Sequence, residues 1–166
     1  MIENGGQMSA EFLFLFGVLI IIIMISIVFI SGENELNTAM EAARNGVIEG
    51  VTTSSSAVYP ENDAYAEYSD RKEGLLTPYS VDIVNISYEE FGFDNGYDKK
   101  QIQFQVYAKT SDRFDSEELV SIGDRINYYL RKSIAISFNT TDSTNNLYNP
   151  VFSPHYVFTT ANVKWL

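Results

Sequence analysis

The residues most open to chemistry stand near the start of the chain: Gly5 and Gly6, then Gln7, Ser9 and Glu11, then a long uncharged apolar run. That chemistry would be done to the chain rather than by it. A Gly-Gly dipeptide brings no side chain into a peptidase cleft, so a cut between Gly6 and Gln7 is sterically easy. The cut would free an α-amino group at Gln7, four residues before Glu11 and one helical turn away. Its positive charge could pair with that carboxylate in the same chain or in a neighbouring copy. Glu11 calls for such a partner, because a carboxylate in a hydrocarbon segment costs on the order of 2.5–3.5 kcal/mol at a helix centre and less toward its end. Cyclisation of Gln7 to a neutral pyroglutamyl group would remove the pairing amine.

The rest of the inventory carries little chemistry. There is no cysteine, which excludes disulfides, thiolate metal sites and thiol nucleophiles, and the single histidine, His155, excludes a multi-histidine metal site. The stretch "FSPHYVF" places His155 among aromatics near a strand, and no Gly-x-Ser-x-Gly presents a serine to it. Acidic stretches at 60–70, 94–98 and 112–118 offer oxygen ligands without the spacing of a calcium loop, so solvated loop acids are expected. No catalytic residue, metal or cofactor is assigned, and the chain is not read as an enzyme. Eleven basic against 22 acidic residues give a net charge of -11, which argues against binding nucleic acid. Asn85-Ile86-Ser87 and Asn139-Thr140-Thr141 are N-glycosylation sequons, usable only outside the cell; Asn139 has the more loop-like context.

The element that must position the N-terminal residues is the apolar run itself. Phe12 to Ile30 is nineteen residues without a charge, interrupted only by Gly17 and Ser26. As a helix it would be roughly 28 Å long, close to a bilayer core of about 30 Å. Three readings compete. A secretory signal peptide needs a positive leader, a shorter apolar stretch and small residues before a downstream cut, whereas "MIENGG" has no Lys or Arg and Ile30 stands at -3 of the best site. An uncleaved signal anchor accounts for the length but leaves Glu11 unexplained. A cut before the apolar run explains both.

Gln7-Met8-Ser9-Ala10-Glu11-Phe12, followed by Leu15 and the apolar run, resembles the archaeal class III signal peptide, the Gln-x-Ser-x-Glu-x-x-x-Leu motif of type IV pilin-like precursors. The resemblance covers residues 5 to about 30. It implies that a membrane-embedded prepilin peptidase cuts between Gly6 and Gln7, recognising Gly5, Gly6, Gln7, Ser9, Glu11 and Leu15. It implies a single-pass membrane protein, held in lipid before assembly, that becomes a subunit of an extracellular surface filament serving adhesion or surface contact. Phe12, Phe14, Phe16 and Leu19 would pack in the filament core. Partners implied are the peptidase, an assembly ATPase with its membrane platform, and other pilin subunits. The competing expectation is a membrane-anchored extracellular binding module. The N-terminus should face inward, since the far flank carries three glutamates before its first positive charge at Arg44.

The expected fold is α+β: a leader (1–6), a long helix (7–53), a polar loop (54–78) with Pro60 and Pro78, and a β-rich head (79–166) with a small antiparallel sheet and one further helix. Leu36, Met40, Ala43, Val47 and Val51 form a stripe continuing the helix, with Glu33, Glu35, Glu41, Arg44 and Glu49 on other faces and Gly46 and Gly50 weakening it. Strands are expected at 79–91 and 101–109, with Ile102, Phe104, Val106 and Ala108 inward and a hairpin loop at 94–99 whose Asn95-Gly96 suits positive φ. Leu119, Ile122, Ile126, Tyr129 and Leu130 predict a helix opened by an Asp115/Glu118 capping box. Segments 133–138 and 151–165 read as further strands.

Overall fold

The computed structural model describes residues 4–52, 81–110 and 114–166, with side chains from residue 9 onward in the first helix. The expected polar loop and the acidic stretch at 60–70 lie outside the described residues. The chain divides into two compact units, Met1–Asn37 and Thr38–Leu166. The elements are a long apolar helix, then a small mixed sheet and a second helix, an α+β layout like that of a type IV pilin.

The first helix, α1, spans Asn4–Thr52. From Phe12 to Ile30 its large apolar side chains are exposed. In the second unit its residues from Thr38 onward bury Ala39, Ala42, Ala43 and Val47, so the expected stripe is present and richer in small residues. Glu35, expected on a polar face, is buried instead. Gly46 and Gly50 have a packing reason that outweighs their low helix propensity. A Cβ at Gly46 would lie 2.3 Å from the Tyr129 carbonyl oxygen and 2.8 Å from Leu130 Cα, and one at Gly50 would lie 2.9 Å from Ile126 Cα. Only glycine permits so close an approach of two helix backbones.

The second helix, α2, spans Ser116–Ser137. The capping box forms as expected: Asp115 Oδ1 accepts from the backbone N–H of Glu117 and Glu118, both at 2.8 Å, and Glu118 Oε2 accepts from Asp115 N at 2.9 Å. Its buried face continues past Leu130 to Ile134 and Ala135. Residues 133–137 are therefore its last turn and not a strand. Ile126, Leu130 and Ile134 keep the four-residue spacing, and burial of that stripe overrides the β-propensity of the segment. The helix ends in a Schellman arrangement, Asn139 N donating to Ile136 O at 3.1 Å and Thr140 N to Ala135 O at 2.8 Å, with Asn139 at φ 54°.

Strands β1 (Val81–Asp94) and β2 (Lys99–Thr110) form the antiparallel hairpin. Ile102, Phe104, Val106 and Ala108 are all inward and buried. The positive φ falls on Asp98 (54°) rather than on Asn95-Gly96, because the Asp94 carboxylate accepts from Gly96 N at 2.7 Å and the turn closes through a left-handed last residue. Gly92, at φ 85°, takes up a register shift between Glu90 and Gly92.

After α2 and a short 3-10 turn (Thr141–Ser143) come β3 (Val151–Phe152), β4 (Tyr156–Thr160) and β5 (Lys164–Trp165). The sheet order is β1-β2-β4-β3, with β5 also beside β2. Pairs β1–β2 and β3–β4 are antiparallel, as expected, whereas β4 and β5 run parallel to β2. The cause is α2: a parallel return needs a crossover of about a dozen residues or more, and the helix supplies it. The core between α2 and the sheet is aromatic, with Phe158 near Phe104 (5.9 Å between centroids) and stacked on Phe138 (6.0 Å).

Candidate functional site

Among the described residues, α1 is the one helix long and apolar enough to cross a membrane. Its seventeen large apolar side chains from Phe12 to Ile30 each expose 39–75% of their surface. At about 1.5–3 kcal/mol per buried side chain, shielding them from water is worth tens of kcal/mol. Nothing within this unit supplies that shielding, and the helix is long and apolar enough to cross a membrane. The backbone suits an apolar environment. Helical hydrogen bonds satisfy its polar groups, and the one hydroxyl in the run, Ser26 Oγ, donates to Ile22 O at 2.8 Å.

The residues expected to form the processing motif lie at the start of this same helix. Gly5, Gly6 and Gln7 fall in its first turn, with Ser9, Glu11 and Leu15 after them. Two glycines cost a helix about 1 kcal/mol each relative to alanine, so this first turn opens readily into an extended form. Gln7 and Glu11 lie four residues apart in this helix. Glu11 is exposed, and no Lys or Arg precedes Arg44 in the sequence. Of the residues expected in a filament core, Phe12 and Phe16 stack at 6.4 Å with an interplanar angle of 12°, and Phe14 and Leu19 are likewise exposed. Gly17 leaves room for a side chain in this surface, since apart from its neighbours and the helix's own backbone nothing lies within 4 Å of where a Cβ would stand.

Among the described residues, three of the acids weighed as ligands serve as local caps. Asp94 holds the hairpin turn, and Asp115 and Glu118 hold the start of α2. No group of three or more His, Cys, Asp or Glu among the described residues is placed to hold a metal ion. His155 is exposed in the turn before β4, outside the aromatic core, and its carbonyl accepts from Lys100 N at 3.1 Å. Both sequon asparagines are exposed. Asn85 lies within β1 opposite Tyr107, and Asn139 is the left-handed residue closing α2, a backbone reason for an asparagine there. Exposed Val84, Tyr88, Phe91, Phe93 and Tyr97 gather on β1 and its turn.

A shallow groove of about 300 Å³ between α2 and the C-terminal segment was not foreseen. Nothing in the local sequence announces it, since it depends on Gly123 meeting Val163 and Trp165 across the fold. Compared with protein-family models, curated proteins and solved structures, the chain matches none of them.

Proposed function

We propose that this chain is a type IV pilin-like structural subunit, cut between Gly6 and Gln7 by a prepilin peptidase and assembled through its apolar helix into a surface filament. The observation that carries the reading is the joint one on α1: seventeen large apolar side chains without cover, and an exposed carboxylate at their edge with no cation in the preceding sequence. Before assembly, lipid covers the apolar surface; afterwards, helices of other copies do. The transfer costs little, since the surface moves from one apolar environment to another. A neighbouring copy also supplies the amine for Glu11, which a lone anchored chain in lipid lacks unless it pairs with its own terminus.

On this reading the partners are the peptidase, an assembly ATPase and membrane platform, and other pilin subunits, and the head acts in adhesion or surface contact. The competing reading, a monomeric anchored module, shares the helix and differs at its start. N-terminal sequencing of the mature protein by mass spectrometry separates them. A start at Gln7, free or as pyroglutamate, is expected; an intact Met1 supports the anchor, and a start beyond residue 30 supports secretion. Either of the last two overturns the proposal.

A further inference from the structure

The groove on the second unit has a defined origin. Beyond Thr160 the chain leaves its ladder with β2 for residues 161–163 and rejoins it as β5, opposite Tyr107 and Ala108. The excursion is held open by Gln105, whose Nε2 donates to Asn162 O at 2.6 Å, and by Asn127, whose Nδ2 donates to Ala161 O at 2.9 Å. It brings Val163 against α2 at Gly123, where a Cβ would come within 3.3 Å of Val163 Cβ and 3.9 Å of the Trp165 ring. The glycine thus lets the C-terminal segment close one side of the groove while leaving its middle open.

The lining has two parts. Leu119, Val120 and Val163, with the half-exposed indole of Trp165, make an apolar floor. Ser116, Asp124 and Asn162 supply a hydroxyl, a carboxylate and an amide around it. Ser116 and Asp124 stand eight residues apart on one helix, so the polar groups are spread over about 12 Å. Among the described residues no Lys, Arg or His lines the groove, and the one ionisable group there, Asp124, is acidic in a chain of net charge -11, so carboxylates and phosphates are disfavoured. An apolar floor with an aromatic ring, and a hydroxyl, an amide and a carboxylate spread around it, match an uncharged ligand with one apolar face and several hydroxyls.

We infer that this groove binds a neutral saccharide, a mono- or disaccharide unit whose C–H face lies on the Trp165 indole while its hydroxyls reach Asp124, Asn162 and Ser116. The carboxylate of Asp124 has about four acceptor positions, so a partner within the protein leaves capacity for a hydroxyl. The inference deepens the adhesion role proposed above by naming a ligand class for the head. It rests on that reading only for its biological use, because binding by dispersed chains is measured whether or not filaments form.

Trp165 is the single tryptophan of the chain, so its emission reports on this groove alone. The full-length protein in a zwitterionic, sugar-free detergent would be titrated with neutral hexoses, N-acetylhexosamines and their disaccharides to millimolar concentration, alongside n-butylamine and 1-butanol. A saturable change in Trp165 emission with at least one saccharide is expected. Asp124→Ala should weaken it by about tenfold or more. Val120→Phe, at a residue 62% exposed, should block it while leaving the unfolding midpoint unchanged. No saturable response to any saccharide, a response to the amine or the alcohol alone, or a saccharide response unaltered in both variants would overturn the inference.

Discussion

Glu11 and Asn139 show how differently two polar residues can be read from sequence. The spacing of Gln7 and Glu11 was legible because a four-residue interval has one meaning on a helix, and both residues lie in α1. If filament neighbours bury Glu11 against an amine, Glu11→Gln leaves the cleavage site intact but strands a positive charge in apolar surroundings. Breaking a buried pair costs about 3–5 kcal/mol, so filament yield per chain processed at Gln7 should fall at least about a hundredfold. Electron microscopy of sheared filaments, with mass spectrometry of the mature N-terminus, supplies both quantities. Asn139 was legible as a sequon but not as the left-handed residue that ends α2, because the helix was expected to stop before it. The two roles separate by substitution. Asn139→Gly keeps the helix end and should change stability by no more than a few tenths of a kcal/mol, whereas Asn139→Val forces a β-branched residue to φ 54° and should cost about 1–2 kcal/mol. Equal unfolding midpoints for the two variants in denaturant would contradict the backbone role.

At the scale of elements, local signals were read correctly where they were self-contained and misread where the fold supplied the deciding contact. The capping box at Asp115 and Glu118 and the inward set Ile102, Phe104, Val106 and Ala108 needed no knowledge of neighbours. Segment 133–138 did: its β-branched residues favour a strand in isolation, and only the sheet beneath Ile134 makes another helical turn worthwhile. The parallel course of β4 was likewise hidden, since a helix between strands permits either direction until both strands share a sheet. Gly46 and Gly50 looked like weak points in α1 and are instead where it meets α2. Gly46→Ala should therefore destabilise the second unit despite the gain in helix propensity. Its methyl would collide with the Tyr129 carbonyl, and overpacking against backbone costs about 1–3 kcal/mol, set against roughly 1 kcal/mol of propensity gained. Gly17→Ala meets nothing and should gain that propensity within the isolated chain. The nearby Lys132–Glu49 pair, 4.0 Å apart and partly exposed, contributes at most about 1 kcal/mol, so the glycine contact dominates this junction.

The whole molecule sets two kinds of surface side by side in one sequence. Residues 38–166 enclose a core of their own, with Phe104, Phe158, Ile122, Ile126, Leu130 and Ile134 fully buried. The run from Phe12 to Ile30 encloses nothing and exposes every large side chain it has. The difference was legible in composition because a nineteen-residue apolar run cannot be shielded by a single small domain, and the groove beside Trp165 was not, because it is made by one glycine and a three-residue break in a strand. If the apolar run contributes only to membrane or filament, removing it should leave the folded unit intact. A chain of residues 31–166 is expected to remain soluble without detergent, to elute as a monomer and to keep the near-ultraviolet circular dichroism of its aromatic core. A chain of residues 7–166 should require detergent or form large assemblies, since exposing seventeen apolar side chains to water costs tens of kcal/mol against a domain stability of about 5–15. Size-exclusion chromatography with light scattering distinguishes the outcomes. A monomeric, detergent-free chain of residues 7–166 would mean that the helix hides its apolar surface within the molecule, and the case for both anchoring and assembly would end there.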